Sequence, residues 1–193
     1  NDAVETVSYD PDGAKKLLEE SGWTDTDGDG YVDKDGQKLS INWLTYPTRL
    51  EQPKLAEYAQ ATLKDIGIDV VVNNTSDHMT IAKSGDFDVY VSSTTTAPTG
   101  DPEYFFTSTV TGAKNYGKYQ NEEVTKLTDQ LHQTFDKDER AKLAVELQQD
   151  ILDDDAFFFV SHLNMGIVTK SNVTGMAAHP CDYYELTADL DIN

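Results

Sequence analysis

At 193 residues the chain has the length of one ordinary domain, and 38% hydrophobic against 26% charged residues leaves ample material for a core. It carries 35 acidic residues against 15 basic ones, a net charge of −20 that repels phosphate backbones and anionic headgroups and excludes nucleic acid as a partner. Its single cysteine, Cys181, rules out an internal disulfide, and no run of about 18 apolar residues is present to cross a bilayer. The chain starts at Asn1-Asp2-Ala3 and soon reaches a helix signal, so any export signal is expected to have been removed, or the chain to be a piece of something larger.

Asp10-Pro11 opens the first helix, with a capping carboxylate followed by proline at the first helical position. Ala14, Leu17 and Leu18 form its apolar stripe, and Gly22 stops it. Leu39 to Tyr46 alternates Leu39, Ile41 and Trp43 with polar neighbours and predicts a strand. The next helix runs from Glu51 to Ile66, with Leu55, Tyr58, Ala59, Thr62, Leu63 and Ile66 on one face. Ile68 to Val72 is a β-branched strand, Asp77 to Lys83 a short helix, and Phe87 to Ser92 a third strand. Strand, helix, strand, helix, strand predicts right-handed crossovers and a largely parallel sheet, hence an α/β fold. Asn121 then caps a helix bearing Val124, Leu127 and Leu131, and Asp136 caps another bearing Leu143, Leu147 and Ile151. Two apolar runs, Phe157 to Leu163 and Met165 to Val168, read as strands, and the tail from Ala178 shows little periodicity. There is no internal repeat and no linker, so 1–193 is read as one domain.

Residues 25 to 36 form an acidic, glycine-rich loop. Asp25, Asp27, Asp29 and Asp33 stand at relative positions one, three, five and nine, Gly30 at six, and Tyr31 at the carbonyl position seven. That order matches the first nine positions of an EF-hand-type calcium loop, in which oxygen ligands converge because the chain winds around the ion. Position twelve is Gly36 instead of a bidentate glutamate, so Asp33 or Asp35 would have to supply the missing ligand. A structural Ca²⁺ site and a solvated turn both fit.

No pattern points to catalysis. His78, His132, His162 and His179 are scattered, and His132 is expected at the surface. Ser161 beside His162 on a strand would face the opposite side, so the two cannot form a triad. No GxSxG, HExxH or P-loop sequence occurs, and His179-Pro180-Cys181-Asp182 offers only a short loop of mixed ligands. The chain is not expected to be an enzyme.

Several segments, taken in order, resemble one family. They are YDPDGAKKLLEESGW (9–23) with DTDGDG and KDGQKLS, then LTYPTRLEQPKLAEYAQATLKDIGIDVVV (44–72) and KSGDFDVYVSSTTTAPTGDPEYFF (83–106). NYGKYQNEEVTKL, DKDERAKLAVELQQDIL and HPCDYYELTADLDI follow. The chain is similar to the C-terminal lobe of bacterial ABC-transporter solute-binding proteins of the peptide/nickel type, family 5. The resemblance implies a two-lobed periplasmic-binding-protein fold that closes on a small ligand and hands it to a membrane permease. It implies an extracytoplasmic monomer, periplasmic or anchored as a lipoprotein, and a segment at 179–193 that returns to the other lobe. Peptide-binding members carry an aspartate three residues before the Asp-Pro; here Asp101-Pro102 is preceded at that distance by Pro98. TAPTGDPEYFF and TYPTR instead look like nickel-type members, so nickel or a nickel chelate is the expected cargo and an oligopeptide the alternative. Thr95, Thr96 and Thr99, with Tyr104 and Phe105, are then expected to wall the cleft, and Asn115, Tyr116 and Tyr119 to complete its rim. Arg49, one of two arginines, is the candidate partner for a ligand carboxylate. Against these stand core packing for at least one of the aromatic residues and a plain surface charge for Arg49. A rival reading of another class is a calcium-stabilised surface module.

Overall fold

A computed structural model describes residues 3–94, 97, 99–163, 166–178 and 186–193. Where the sequence reading takes 1–193 as one domain, the residues gather into two compact units, Val7–Ser93 and Asn1–Thr6 with Thr94–Asn193.

The first unit is the α/β part. Helix α1 (Pro11–Glu20) starts where expected, with the Asp10 carboxylate accepting the Gly13 N–H at 2.9 Å. Its apolar stripe is not buried: no residue of α1 is, and Leu17 is 64% exposed. Past the acidic loop, β1 (Asp33–Lys34) and β2 (Gln37–Lys38) form an antiparallel hairpin that the sequence reading left as loop. Asp35 and Gly36 turn it with φ of 54° and 74°, the left-handed pair that an Asp-Gly hairpin turn requires. Three parallel strands follow, β3 (Ser40–Thr45), β4 (Asp69–Asn74) and β5 (Val89–Tyr90), in the order β4-β3-β5. Ser40 lies opposite Asp69 and Thr45 opposite Asn74, while Trp43 and Leu44 lie opposite Val89 and Tyr90.

The burial of β3 does not alternate. Leu44, Thr45 and Tyr46 are consecutive and all buried, because the central strand of a parallel sheet is covered on both faces. Helix α2 (Glu51–Lys64) packs on β3 and β4, and α3 (His78–Ser84) on β3. The buried positions of α2 are Gln52 and Ala56, whereas Tyr58, expected on the inner face, is 70% exposed. The third strand is shorter than expected, two residues out of Phe87–Ser92.

The second unit is helical at its centre. Helix α4 (Glu103–Phe105) continues without a break into one π-helical turn, Phe106–Val110, which the sequence reading did not foresee. Helices α5 (Glu122–Gln133) and α6 (Lys137–Asp153) have the expected caps, Asn121 accepting from Glu123 and Val124 and Asp136 from Asp138 and Glu139. Val124, Leu127 and Leu131 of α5 meet Leu143, Leu147 and Ile151 of α6 at helical spacing, and Phe106 and Val110 fill the end of that core. The run Phe157–Leu163 is not a strand, and neither are the described residues of Met165–Val168; Met165 itself lies outside the described residues. Phe157 turns onto the helical core while Phe158 and Val168 are 87% and 96% exposed. Apolar composition suggested strands there, but a strand also needs a neighbour to pair with, and none lies alongside among the described residues. The tail does contribute one pair, β6 (Val173–Thr174) against β7 (Asp191–Ile192).

Candidate functional site

The expected wall starts at a turn. The Gly100 N–H donates to the Ala97 carbonyl at 2.9 Å, and Thr99 in that turn is exposed. Thr95 and Thr96, named as wall residues, lie outside the described residues, as does Pro98. Asp101 and Pro102 then form a corner in which the Asp101 carboxylate accepts the Glu103 N–H at 2.8 Å and so starts α4.

Tyr104 and Phe105 leave α4 in different senses. Tyr104 is 43% exposed, and Lys114 holds it, with Nζ donating to the phenol oxygen at 3.1 Å and lying 5.4 Å from the ring centre. Phe105 packs inward, its ring 5.6 to 5.8 Å from those of Phe106, Phe157 and Phe159. Core packing therefore accounts for Phe105, and Tyr104 is the exposed aromatic side chain of this segment.

Asn115 and Tyr119, expected on the rim, serve each other. The Asn115 side chain donates to the Tyr119 carbonyl at 2.8 Å and accepts the Tyr119 N–H at 3.0 Å, which uses both ends of its amide. The Tyr119 hydroxyl donates to Asp154 at 2.5 Å, and Asn121 donates to the same oxygen at 2.7 Å. Burial first, then the Asp154 carboxylate, push the Tyr119 phenol above its ordinary range, and the Tyr119 and Asn121 bonds hold Asp154 below its own. Tyr116, half-buried, lies in the same loop.

Two groups in this unit escaped sequence reasoning. Arg140 donates to both oxygens of Asp101 at 2.7 Å and to Glu103 at 2.9 Å. His132, expected merely at the surface, is exposed but bonded through Nδ1 to Glu103 at 2.6 Å. The His132 bond first, and Arg140 with it, hold the Glu103 carboxyl below its usual range against the opposing effect of burial. The one available signal was a lone arginine downstream of an Asp-Pro-Glu, too common a pattern to read.

In the α/β unit, Arg49 is exposed just past β3 and has no carboxylate within ion-pair distance among the described residues. The carboxyl ends of parallel strands are where α/β sheets place ligands. There Gln52 donates to Ser93 at 2.9 Å and the Tyr46 hydroxyl accepts the Ser93 N–H at 3.3 Å. Thr45 Oγ1 and Gln52 Oε1 are buried without a protein partner among the described residues, a signal that needs coordinates to appear.

The acidic loop brings three of its expected ligands together. Oxygen atoms of Asp25, Asp27 and Asp29 lie within 4.8 Å of one another, a donor set suited to a hard cation. Asp25 also accepts the Gly28 and Gly30 N–H groups, and Asp29 accepts that of Tyr31. Asp33 is turned elsewhere, accepting from the Thr26 N–H at 2.9 Å and its hydroxyl at 2.6 Å, and those bonds hold its carboxyl below the usual range. Lys38 donates to Asp29 at 2.5 Å, sits over the Tyr31 ring at 4.3 Å, and lowers the Asp29 pKa. An ion held by these carboxylates would have to displace Lys38 from Asp29. The His179-Pro180-Cys181-Asp182 segment lies outside the described residues.

Known proteins resemble this chain in sequence and fold. Residues 1–117 match the sequence profile of the bacterial extracellular solute-binding proteins, family 5 middle region. The oligopeptide-binding protein AppA of Bacillus subtilis is 29% identical over 182 residues, 92% of this chain and 34% of that protein. Its structure in complex with a nonapeptide superposes with a TM-score of 0.79 at 28% identity, over 94% of this chain and 38% of the other. The nickel-binding periplasmic protein of Escherichia coli is 26% identical over 189 residues, 93% of this chain and 36% of that protein. The chain thus spans about a third of the length of these relatives. With a profile match over more than half its residues and an α/β unit of the expected parallel order, this chain belongs to the family 5 bacterial extracellular solute-binding proteins.

Proposed function

We propose that the chain is a ligand-gripping segment of the solute-binding component of an ABC importer, acting outside the cytoplasm and delivering its cargo to a membrane permease. The work is capture and release, with no bond made or broken. Among the described residues no helix is long and apolar enough to cross a membrane.

For the cargo we favour an oligopeptide. The observation that carries this choice is the superposition on the nonapeptide-bound AppA over 94% of the chain. In the helical unit, exposed Tyr104 and Thr99 suit apolar side chains and backbone groups of a ligand; in the α/β unit, exposed Arg49, with no carboxylate within ion-pair distance among the described residues, suits a carboxylate. The second reading, nickel as a chelate, puts the sequence expectation second instead of first. Its support is Pro98, which leaves no carboxylate for a peptide amino group, together with the similarity to the E. coli nickel-binding protein.

Native mass spectrometry of a full-length family protein carrying this segment, with a pooled nonapeptide library, nickel alone, and nickel with L-histidine, separates the two. A mass shift with peptides is the expected result. A shift only with the nickel–histidine mixture overturns the peptide choice and keeps the transport reading, and no shift with any probe overturns both.

A further inference from the structure

Arg140 lies on α6, away from the residues expected to touch cargo, yet it pairs with two carboxylates, Asp101 and Glu103. One nitrogen of its guanidinium donates to the Leu131 and Thr134 carbonyls at 2.6 and 2.7 Å, at the end of α5 where a helix leaves its carbonyls unpaired. The other donates to both Asp101 oxygens and to Glu103. Its side chain is only 15% exposed, and a planar fork can span these groups where an ammonium cannot.

What it holds is short. Helix α4 and the π-helical turn that continues it span only Glu103–Val110, too short a helical segment to persist on hydrogen bonds of its own. Its N-terminal end is tied through Asp101, which accepts the Glu103 N–H, and the turn carrying Thr99 runs directly into Asp101. Pulling on Asp101 therefore sets the turn on one side and Tyr104 on the other. We propose that Arg140 is a positioning residue of the cargo wall: through Asp101 it fixes the corner that places Thr99 and Tyr104, and it touches no cargo itself. This rests on the solute-binding reading above.

Amide hydrogen exchange on Arg140→Met, Arg140→Lys, Asp101→Asn and the Met/Asn double variant tests it. The Gly100 and Glu103 amides should exchange at least about tenfold faster in Arg140→Met, while those of Val124, Leu127 and Leu147 in the core keep their protection. Asp101→Asn should reproduce the effect, the double variant should add nothing further, and lysine should rescue only in part. Wild-type rates at Gly100 and Glu103, or equal acceleration throughout the unit, overturn the proposal. Unchanged affinity of Arg140→Met for the probe that the wild-type protein takes up overturns it as well. If Arg140→Met does not fold, Asp101→Asn, which leaves the arginine in place, decides. If the wild-type protein takes up no probe, the cargo reading fails, and the exchange rates still decide whether Arg140 holds the corner.

Discussion

Lys38 on Asp29 shows how one side chain changes what a motif means. Six residues of the loop spell the start of a calcium site, but a lysine from the neighbouring strand already neutralises one of the three convergent carboxylates. The two readings of the loop separate in one titration. If it is a cation loop, calcium raises the thermal midpoint, and raises it further in Lys38→Gln, where the competitor is gone. Superimposable melting curves with calcium and with chelator, in both proteins, identify a solvated turn. Glu103 gives a second test at this scale. Its carboxyl is held below the usual range in the folded chain, so the stabilisation is fully present above the unfolded value near 4.5 and is lost as the pH falls through the folded value. Urea midpoints of the wild-type protein and Glu103→Gln should therefore differ at neutral pH and converge on acidification. Parallel curves down to the acid limb would mean that the His132 and Arg140 bonds contribute nothing. The loop ligands were legible because their order is local. The Glu103 group was not, because its members lie 29 and 37 positions apart.

At the scale of elements, capped helices were read well. Asp10, Asn121 and Asp136 each accept the amides their positions required, since capping is chemistry within four residues. Strands fared worse wherever apolar composition stood in for pairing, as at Phe157–Leu163. The π-helical turn has no sequence signature, but the path by which the chain leaves it depends on Gly112. A Cβ there would lie 1.9 Å from the Thr107 carbonyl oxygen, so the chain closes over the turn only at a glycine. Gly112→Ala should lower the unfolding free energy by on the order of 1–3 kcal/mol through forced displacement of that backbone. Gly117→Ala, where an added Cβ meets nothing within 4 Å, should stay within about 0.5 kcal/mol of the wild-type value. Equal effects in chemical denaturation would remove the steric account. The same turn carries Phe106 and Val110 into the core, so Gly112→Ala should also loosen the packing behind Tyr104.

The whole molecule is where sequence patterns run out. Division into two units follows from which contacts form, and neither composition nor periodicity records that. Leu17, Phe158 and Val168 look like core residues in the sequence and are exposed in the structure, because an apolar residue carries no mark of what covers it. The relatives are about three times as long as this chain, and on the proposed reading further sequence supplies the opposing side of the cleft. Affinity then divides between the two sides. Each charge-assisted contact missing from one side costs on the order of 2 kcal/mol, more than tenfold in dissociation constant. The 193-residue chain should accordingly fold, with cooperative loss of its helical signal, and bind a nonapeptide far more weakly than a full-length family protein carrying it. Calorimetry on both decides the point. Equal affinity would place the whole binding site within these 193 residues and remove the need for an opposing side.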